Sequence, residues 1–70
     1  MHLTEIAITI KERRKTLKIT QSYLAELSRV GLRTLKAIET GKNNPTLETI
    51  VKLAEVLGME IKLEVKKSNF

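Results

Sequence analysis

The stretch that most restricts how this chain folds is Ile19 to Gly41, ITQSYLAELSRVGLRTLKAIETG, which holds two short helical periods separated by a tight turn. Thr20 is placed to cap the first, because its hydroxyl can accept a hydrogen bond from an amide that the helix leaves without a partner. The helix then runs from Gln21 to about Ser28, with Leu24, Ala25 and Leu27 expected to face inward. After a turn through Arg29 and Val30, Gly31 stands at the cap of a second helix. Gly41 follows that helix where a left-handed residue would end it.

On a helical wheel from Leu32 to Thr40, Leu35 and Ile38 point one way, and Arg33, Lys36, Ala37 and Thr40 share the other face. That face is polar and basic. A helix carrying it can enter the major groove of DNA, which is about 12 Å wide, and the Arg33 fork can bond a guanine edge in bidentate fashion. Leu32 and Ala37 bring no hydrogen-bonding groups, so direct readout would rest on Arg33. Taken alone, the same face reads as a solvated helix surface.

The flanking segments look like support for this pair. Leu3, Ile6, Ala7, Ile10 and Leu17 keep helical spacing, which predicts a first helix over residues 4–17 with Thr4 as its cap. The alternation of Ile6, Ile8 and Ile10 also permits a strand. The phase of Leu17 with Ile10 favours the helix, and Ile8 is then an apolar residue on a polar side. Arg14 lies four residues after Ile10, on the apolar stripe, and Glu39 lies four residues after Leu35, at the edge of the core face. Opposite charges at two inward positions suggest a partly buried ion pair. The alternative is that each snorkels to solvent.

Lys42, Asn43, Asn44 and Pro45 form a polar turn. Thr46 caps a fourth helix to about Leu57, with Leu47, Ile50, Val51, Leu53, Ala54 and Leu57 on one face and Gly58 as its stop. Val56 breaks the pattern, falling with Thr49 and Lys52 on the expected solvent side. The period then changes: Met59, Ile61, Leu63 and Val65 alternate with Glu60, Lys62, Glu64 and Lys66, as in a strand with one apolar and one charged face. A lone strand has no ladder partner, so the expected partner is the same strand of a second copy. Ile8, Val56, Met59, Ile61, Leu63 and Val65 are the residues expected at that dimer interface, and residues 67–70 read as a frayed tail.

Composition bounds the chemistry. Seventy residues make one domain whose core is small. Without cysteine there is no disulfide framework or Cys-rich zinc site, and His2 is the one histidine. With no Asp and no Gly-rich phosphate loop, an enzyme is rejected, and neither a metal nor a cofactor is expected. Thirteen Lys and Arg against eight Glu give a net charge of +5, suited to a polyanion. A membrane surface is a poorer match, because Tyr23 and Phe70 are the only aromatics. No apolar run is long enough to span a bilayer and no signal-peptide pattern is read at the start, so the expected location is the cytoplasm or nucleoid of a bacterium.

TQSYLAEL, the turn, Val30 and RTLKAIETGKNNPTLETIVKLAEVLG together resemble the lambda-repressor-like helix-turn-helix family, the XRE class, across Ile10 to Gly58. Gln21, Leu24, Ala25, Val30, Leu35, Ile38, Glu39, Gly41, Pro45, Leu53, Leu57 and Gly58 stand at the family's spacing. The resemblance implies an all-α fold, a compact four-helix domain over residues 1–58, whose second helix of the pair lies in the major groove. The C-terminal β-strand and tail, residues 59–70, are added to it for dimerisation. By the same resemblance, Gln21 touches the DNA backbone, and Leu32, Arg33, Lys36 and Ala37 face base edges or phosphates. Lys42 and Asn43 approach phosphates, and Arg14 pairs with Glu39. Three residues depart from the family pattern: Arg29 replaces a turn glycine, Gly31 replaces a Ser or Thr cap, and Tyr23 stands where an acid often completes a capping box. The implied function is a dimeric DNA-binding transcriptional regulator, a repressor reading a palindromic operator in double-stranded DNA. The strand-tailed arrangement also resembles HipB-like antitoxins, which implies as the alternative an antitoxin that neutralises a toxin protein and regulates its own operon.

Overall fold

A computed structural model describes residues 2–66 and contains four helices: α1 (Leu3–Thr16), α2 (Gln21–Ser28), α3 (Leu32–Glu39) and α4 (Leu47–Val56). The four-helix, all-α architecture is the one expected. Helix α1 begins one residue before Thr4: the backbone carbonyl of His2 accepts the amides of Glu5 and Ile6, so His2 is the cap and Thr4 lies inside the helix. Residues 67–70, expected to form a tail, lie outside the described residues.

Each helix end is closed by a specific local device. The Thr20 hydroxyl accepts the Tyr23 amide at 3.0 Å, and that of Thr46 accepts the Thr49 amide at 3.2 Å, so two of the three expected threonine caps form. At the end of α1, the Lys18 amide donates to the Lys15 carbonyl and the Ile19 amide to that of Arg14, the two bonds of a Schellman motif. Gly58 and Met59 repeat it at the end of α4, with bonds to Glu55 and Ala54. The motif needs a left-handed residue, and Gly58 takes one at φ 69° without strain. Lys18 takes it at φ 58°, and Arg29 ends α2 at φ 61°. Both are side-chain-bearing residues held where glycine is favoured.

The core is built from Leu24, Leu35, Ile38, Leu53 and Leu57, all fully buried, with Ile10, Ala25 and Val30 around them. Helix α3 packs against α1 and α2, and α2 packs against α4. The chain leaves α3 through Gly41, whose φ of 77° turns it beside Thr4 and Ala7 of α1.

Several expected burials move. Leu27 is 49% exposed, and Ser28 is buried in its place. Successive helical residues are about 100° apart, so Ser28 falls between Leu24 and Ala25 on the wheel and Leu27 falls outside them. The Ser28 hydroxyl is satisfied there, donating to the Leu24 carbonyl at 2.7 Å and accepting the Val30 amide at 3.3 Å. In α4 the buried arc centres on Leu53 and Leu57, so Val56 packs half-buried against the core, whereas Leu47 and Val51 are exposed. Val56 therefore belongs to the monomer's own core, which explains the apolar residue expected on the solvent side. Leu17 is exposed, and so is Ile8, the latter as expected.

Residues 59–66 form no strand in the single chain. Met59 is half-buried and packs on the core, but Leu63 and Val65 are 100% and 98% exposed. Their alternating pattern has no ladder partner among the described residues.

The left-handed Arg29 gives a direct test of strain. Arg29→Gly should stabilise the protein by about 0.5–1 kcal/mol, the relief of a left-handed side chain less the added freedom of the unfolded chain. Arg29→Val should destabilise it by about 1–2 kcal/mol, because branching at Cβ worsens the same clash. Urea denaturation midpoints measure both.

Candidate nucleic-acid interface

The outward face of α3 is made by Arg33, Lys36 and Thr40, all exposed, with Ala37 half-buried between them. Leu32 is half-buried and packs against the core, so it presents only an edge. Amphipathicity explains the placement, since Leu35 and Ile38 are drawn inward and turn the basic side chains out. Gly31 offers no side-chain cap to the first turn of this helix.

Glu39 is the only acid on α3, and it points away from that face. Its carboxylate receives Arg14 side-on, with Nε to Oε2 at 2.9 Å and Nη2 to Oε1 at 3.0 Å. The two side chains are 11% and 3% exposed. Arg14 Nη1 donates to the Ile19 carbonyl at 2.9 Å, and Gln21 Nε2 donates to Glu39 Oε1 at 3.1 Å. The hydrogen bonds that Arg14 donates to Glu39, reinforced by the carboxylate charge, hold the Arg14 guanidinium above its ordinary pKa despite the opposing effect of burial. No buried side-chain polar atom among the described residues lacks a partner.

Gln21 is therefore not a free surface amide. Its nitrogen is tied to Glu39, which fixes the side chain and leaves its oxygen as an acceptor. Thr40 is also engaged: its hydroxyl donates to the Ala37 carbonyl and accepts the Lys42 amide at 3.3 Å. That second bond brings the exposed Lys42 and the half-buried Asn43 directly after the basic helix. The arrangement thus collects Arg33, Lys36 and Lys42 in one short run, with the nearby acid neutralised. Chemically it offers one bidentate fork and two point charges to an anionic partner.

A family model described as helix-turn-helix matches residues 10–63. The chain belongs to this lambda-repressor-like, XRE-class helix-turn-helix family. It is a DNA-binding transcriptional regulator, and α2 and α3 are its helix-turn-helix pair. The family is a regulatory one rather than an enzymatic one. A comparison with curated proteins gives no match. No described helix is long and apolar enough to cross a membrane.

Three residues matter here that the sequence reading did not single out. Ser28 closes the turn between the paired helices, as described above. Thr34 is exposed on the flank of the basic face of α3, where its polarity one residue from Arg33 was the available signal. Arg13 donates from Nε to the Leu57 carbonyl at 2.9 Å and so helps to close α4. No pattern in the sequence announces that contact, because its partner is a backbone carbonyl 44 residues away.

Since Arg13 has a partner, Lys15, which is exposed, is the better surface control for Arg14. Arg14→Ala leaves Glu39 buried and its carboxylate short of two bonds, at a cost of about 3–5 kcal/mol. In a domain of this size each kcal/mol lowers the melting temperature by about 4–8 °C, so the variant should melt more than about 12 °C lower. Lys15→Ala should stay within about 0.5 kcal/mol of the parent. Calorimetry on the three proteins measures the difference.

Proposed function

We propose that this regulator is a dimeric repressor that lays α3 in the major groove of a palindromic operator. The observation that carries the reading is the electrostatic make-up of α3: Arg33 and Lys36 are exposed on one face, and its single acid is turned inward and neutralised by Arg14. Arg33 is the base reader, since its fork matches the paired acceptors of a guanine edge. Lys36, Lys42 and Asn43 contact phosphates at the two sides of the groove. Gln21, held by Glu39, contacts the backbone at the start of α2. Leu32 and Ala37 supply apolar contact at base edges, and Thr40, its donor already used, accepts.

The dimer is joined through Met59, Ile61, Leu63 and Val65, with Ile8 beside them. An arm whose Leu63 and Val65 are wholly exposed supports this, because apolar residues in alternation with charges form half of a two-stranded ribbon. Two recognition helices related by a twofold axis about 34 Å apart would read half-sites with centres about 10 base pairs apart. The same exposed arm supports a second reading, an antitoxin that covers these residues with a toxin. A neighbouring reading frame encoding a ribonuclease-like or kinase-like toxin would favour it, and a protein of this kind works in the cytoplasm at the nucleoid.

Operator affinity should fall steeply with salt, with a slope of about −0.9 in log K against log salt for each phosphate neutralised. Arg33→Ala should relax base preference at one position in each half-site at a cost of about 1–3 kcal/mol, whereas Lys42→Ala should weaken all sequences alike. Selection from random DNA with the parent and both variants measures this. A flat salt dependence would remove DNA as the ligand, and an unchanged motif for Arg33→Ala would move base readout elsewhere.

Because Met59 packs on the core, the arm is best removed after Glu60. A chain ending there should keep its helical signal, sediment as a monomer and bind a full site more weakly, having lost bivalent contact. Retention of dimer and of full affinity would exclude the arm as the dimer contact.

A further inference from the structure

We infer that residues 60–66 of two copies pair antiparallel with Leu63 on the twofold axis, in a register chosen by the charges of the arm. The inference rests on the dimeric reading above and goes beyond it in fixing which residues meet. Glu60 and Lys62 already approach each other, with Nζ to Oε1 at 3.9 Å, and the run from Met59 to Lys62 borders an apolar groove. This groove, of about 450 Å³, runs between α1 and α4 past Ile6, Ile10, Leu47, Ile50 and Ala54. A ribbon made from two arms presents its apolar face to that groove and its charged face to water.

Antiparallel residues that face each other have position numbers with a constant sum. With Leu63 on the axis, Glu60 faces the partner's Lys66 and Lys62 faces the partner's Glu64, so all four charges of each arm meet an opposite one. Ile61 faces the partner's Val65 on the other side. Moving the axis to Lys62 sets Lys62 against itself and Glu60 against the partner's Glu64. Moving it to Glu64 sets Glu64 against itself and Lys62 against the partner's Lys66. Like charges directly opposite are destabilising. With the axis at Ile61, Glu64 and Lys66 face Gly58 and Val56 of the partner subunit, the latter already packed in its own core. A slip by one residue sets charged residues against apolar ones and turns half of the apolar set outward. Parallel pairing in register aligns like with like along the whole arm.

The chain has no cysteine, so single thiols can be placed in the full-length protein without background. Leu63→Cys should give a covalent dimer on oxidation or with a short bifunctional thiol reagent. Ile61→Cys and Val65→Cys should not cross-link to themselves, because each stands about 13 Å along the ribbon from its own copy. A mixture of those two variants, left to exchange subunits, should cross-link. Self-linking at position 61 or 65 in place of 63 would overturn the register, and self-linking at all three would show parallel strands. Sedimentation of the unmodified chain separates the two levels: a monomer would sink the dimeric reading itself, whereas a dimer without cross-links at position 63 would sink only the register. Independently, Glu60→Lys should weaken the dimer roughly tenfold by facing two pairs of lysines, and adding Lys66→Glu should restore it. A double variant no tighter than Glu60→Lys would also overturn the register.

Discussion

The Arg14–Glu39 pair is the interaction on which the rest of the domain depends. It joins the end of α1 to the end of α3, and through the third Arg14 nitrogen and the Gln21 amide it also holds the linker at Ile19 and the start of α2. A buried ion pair is weak evidence of net stability, since desolvation offsets much of the Coulomb gain. Its effect here is positional. Four segments converge on two side chains, and neither charge can move without leaving the other buried and unpaired. The same pair decides the electrostatics of α3, because it removes the one carboxylate that the helix carries and leaves its exposed face basic.

Backbone conformation does the complementary work between helices. The connections after α1 and α2 pass through Lys18 and Arg29 in the left-handed region, so the chain accepts local strain to keep both turns short. Short turns are what hold α2 and α3 as a pair. At Arg29 the strain is offset by Ser28, whose hydroxyl satisfies a helix carbonyl and the Val30 amide at once. The departures from the family pattern at Arg29, Gly31 and Tyr23 therefore leave the fold intact: Arg29 adopts the glycine conformation, Gly31 starts α3 without a cap bond, and the Tyr23 amide is capped by Thr20 regardless of its side chain.

The C-terminal arm obeys different physics from the domain it follows. Met59 belongs to the core of the single chain, but from Leu63 onward the apolar side chains touch nothing among the described residues. A non-helical segment cannot satisfy its backbone internally as a helix does, so it can become a strand only against another strand. The boundary between domain and arm is thus physical, falling where the chain last contacts its own core.

The sequence by itself determined the four helices, the caps at Thr20 and Thr46 though not the one expected at Thr4, the glycine stops and most of the core, because each follows from local periodicity or from the chemistry of one or two neighbouring residues. It also marked Arg14 and Glu39 as charges at inward positions, and the basic face of α3. Only the tertiary structure decided which way borderline residues turned. Leu27 and Ser28 differ by one step on the same helix, and the packing of α2 against its neighbours, not hydrophobicity, selected Ser28 for burial. Val56 entered the core and Leu47 and Val51 left it for the same reason: a wheel gives relative angles, but the centre of the buried arc is set by the other helices. The Gln21–Glu39 and Arg13–Leu57 bonds were likewise beyond the sequence, since each joins residues remote along the chain whose meeting depends on how the helices pack.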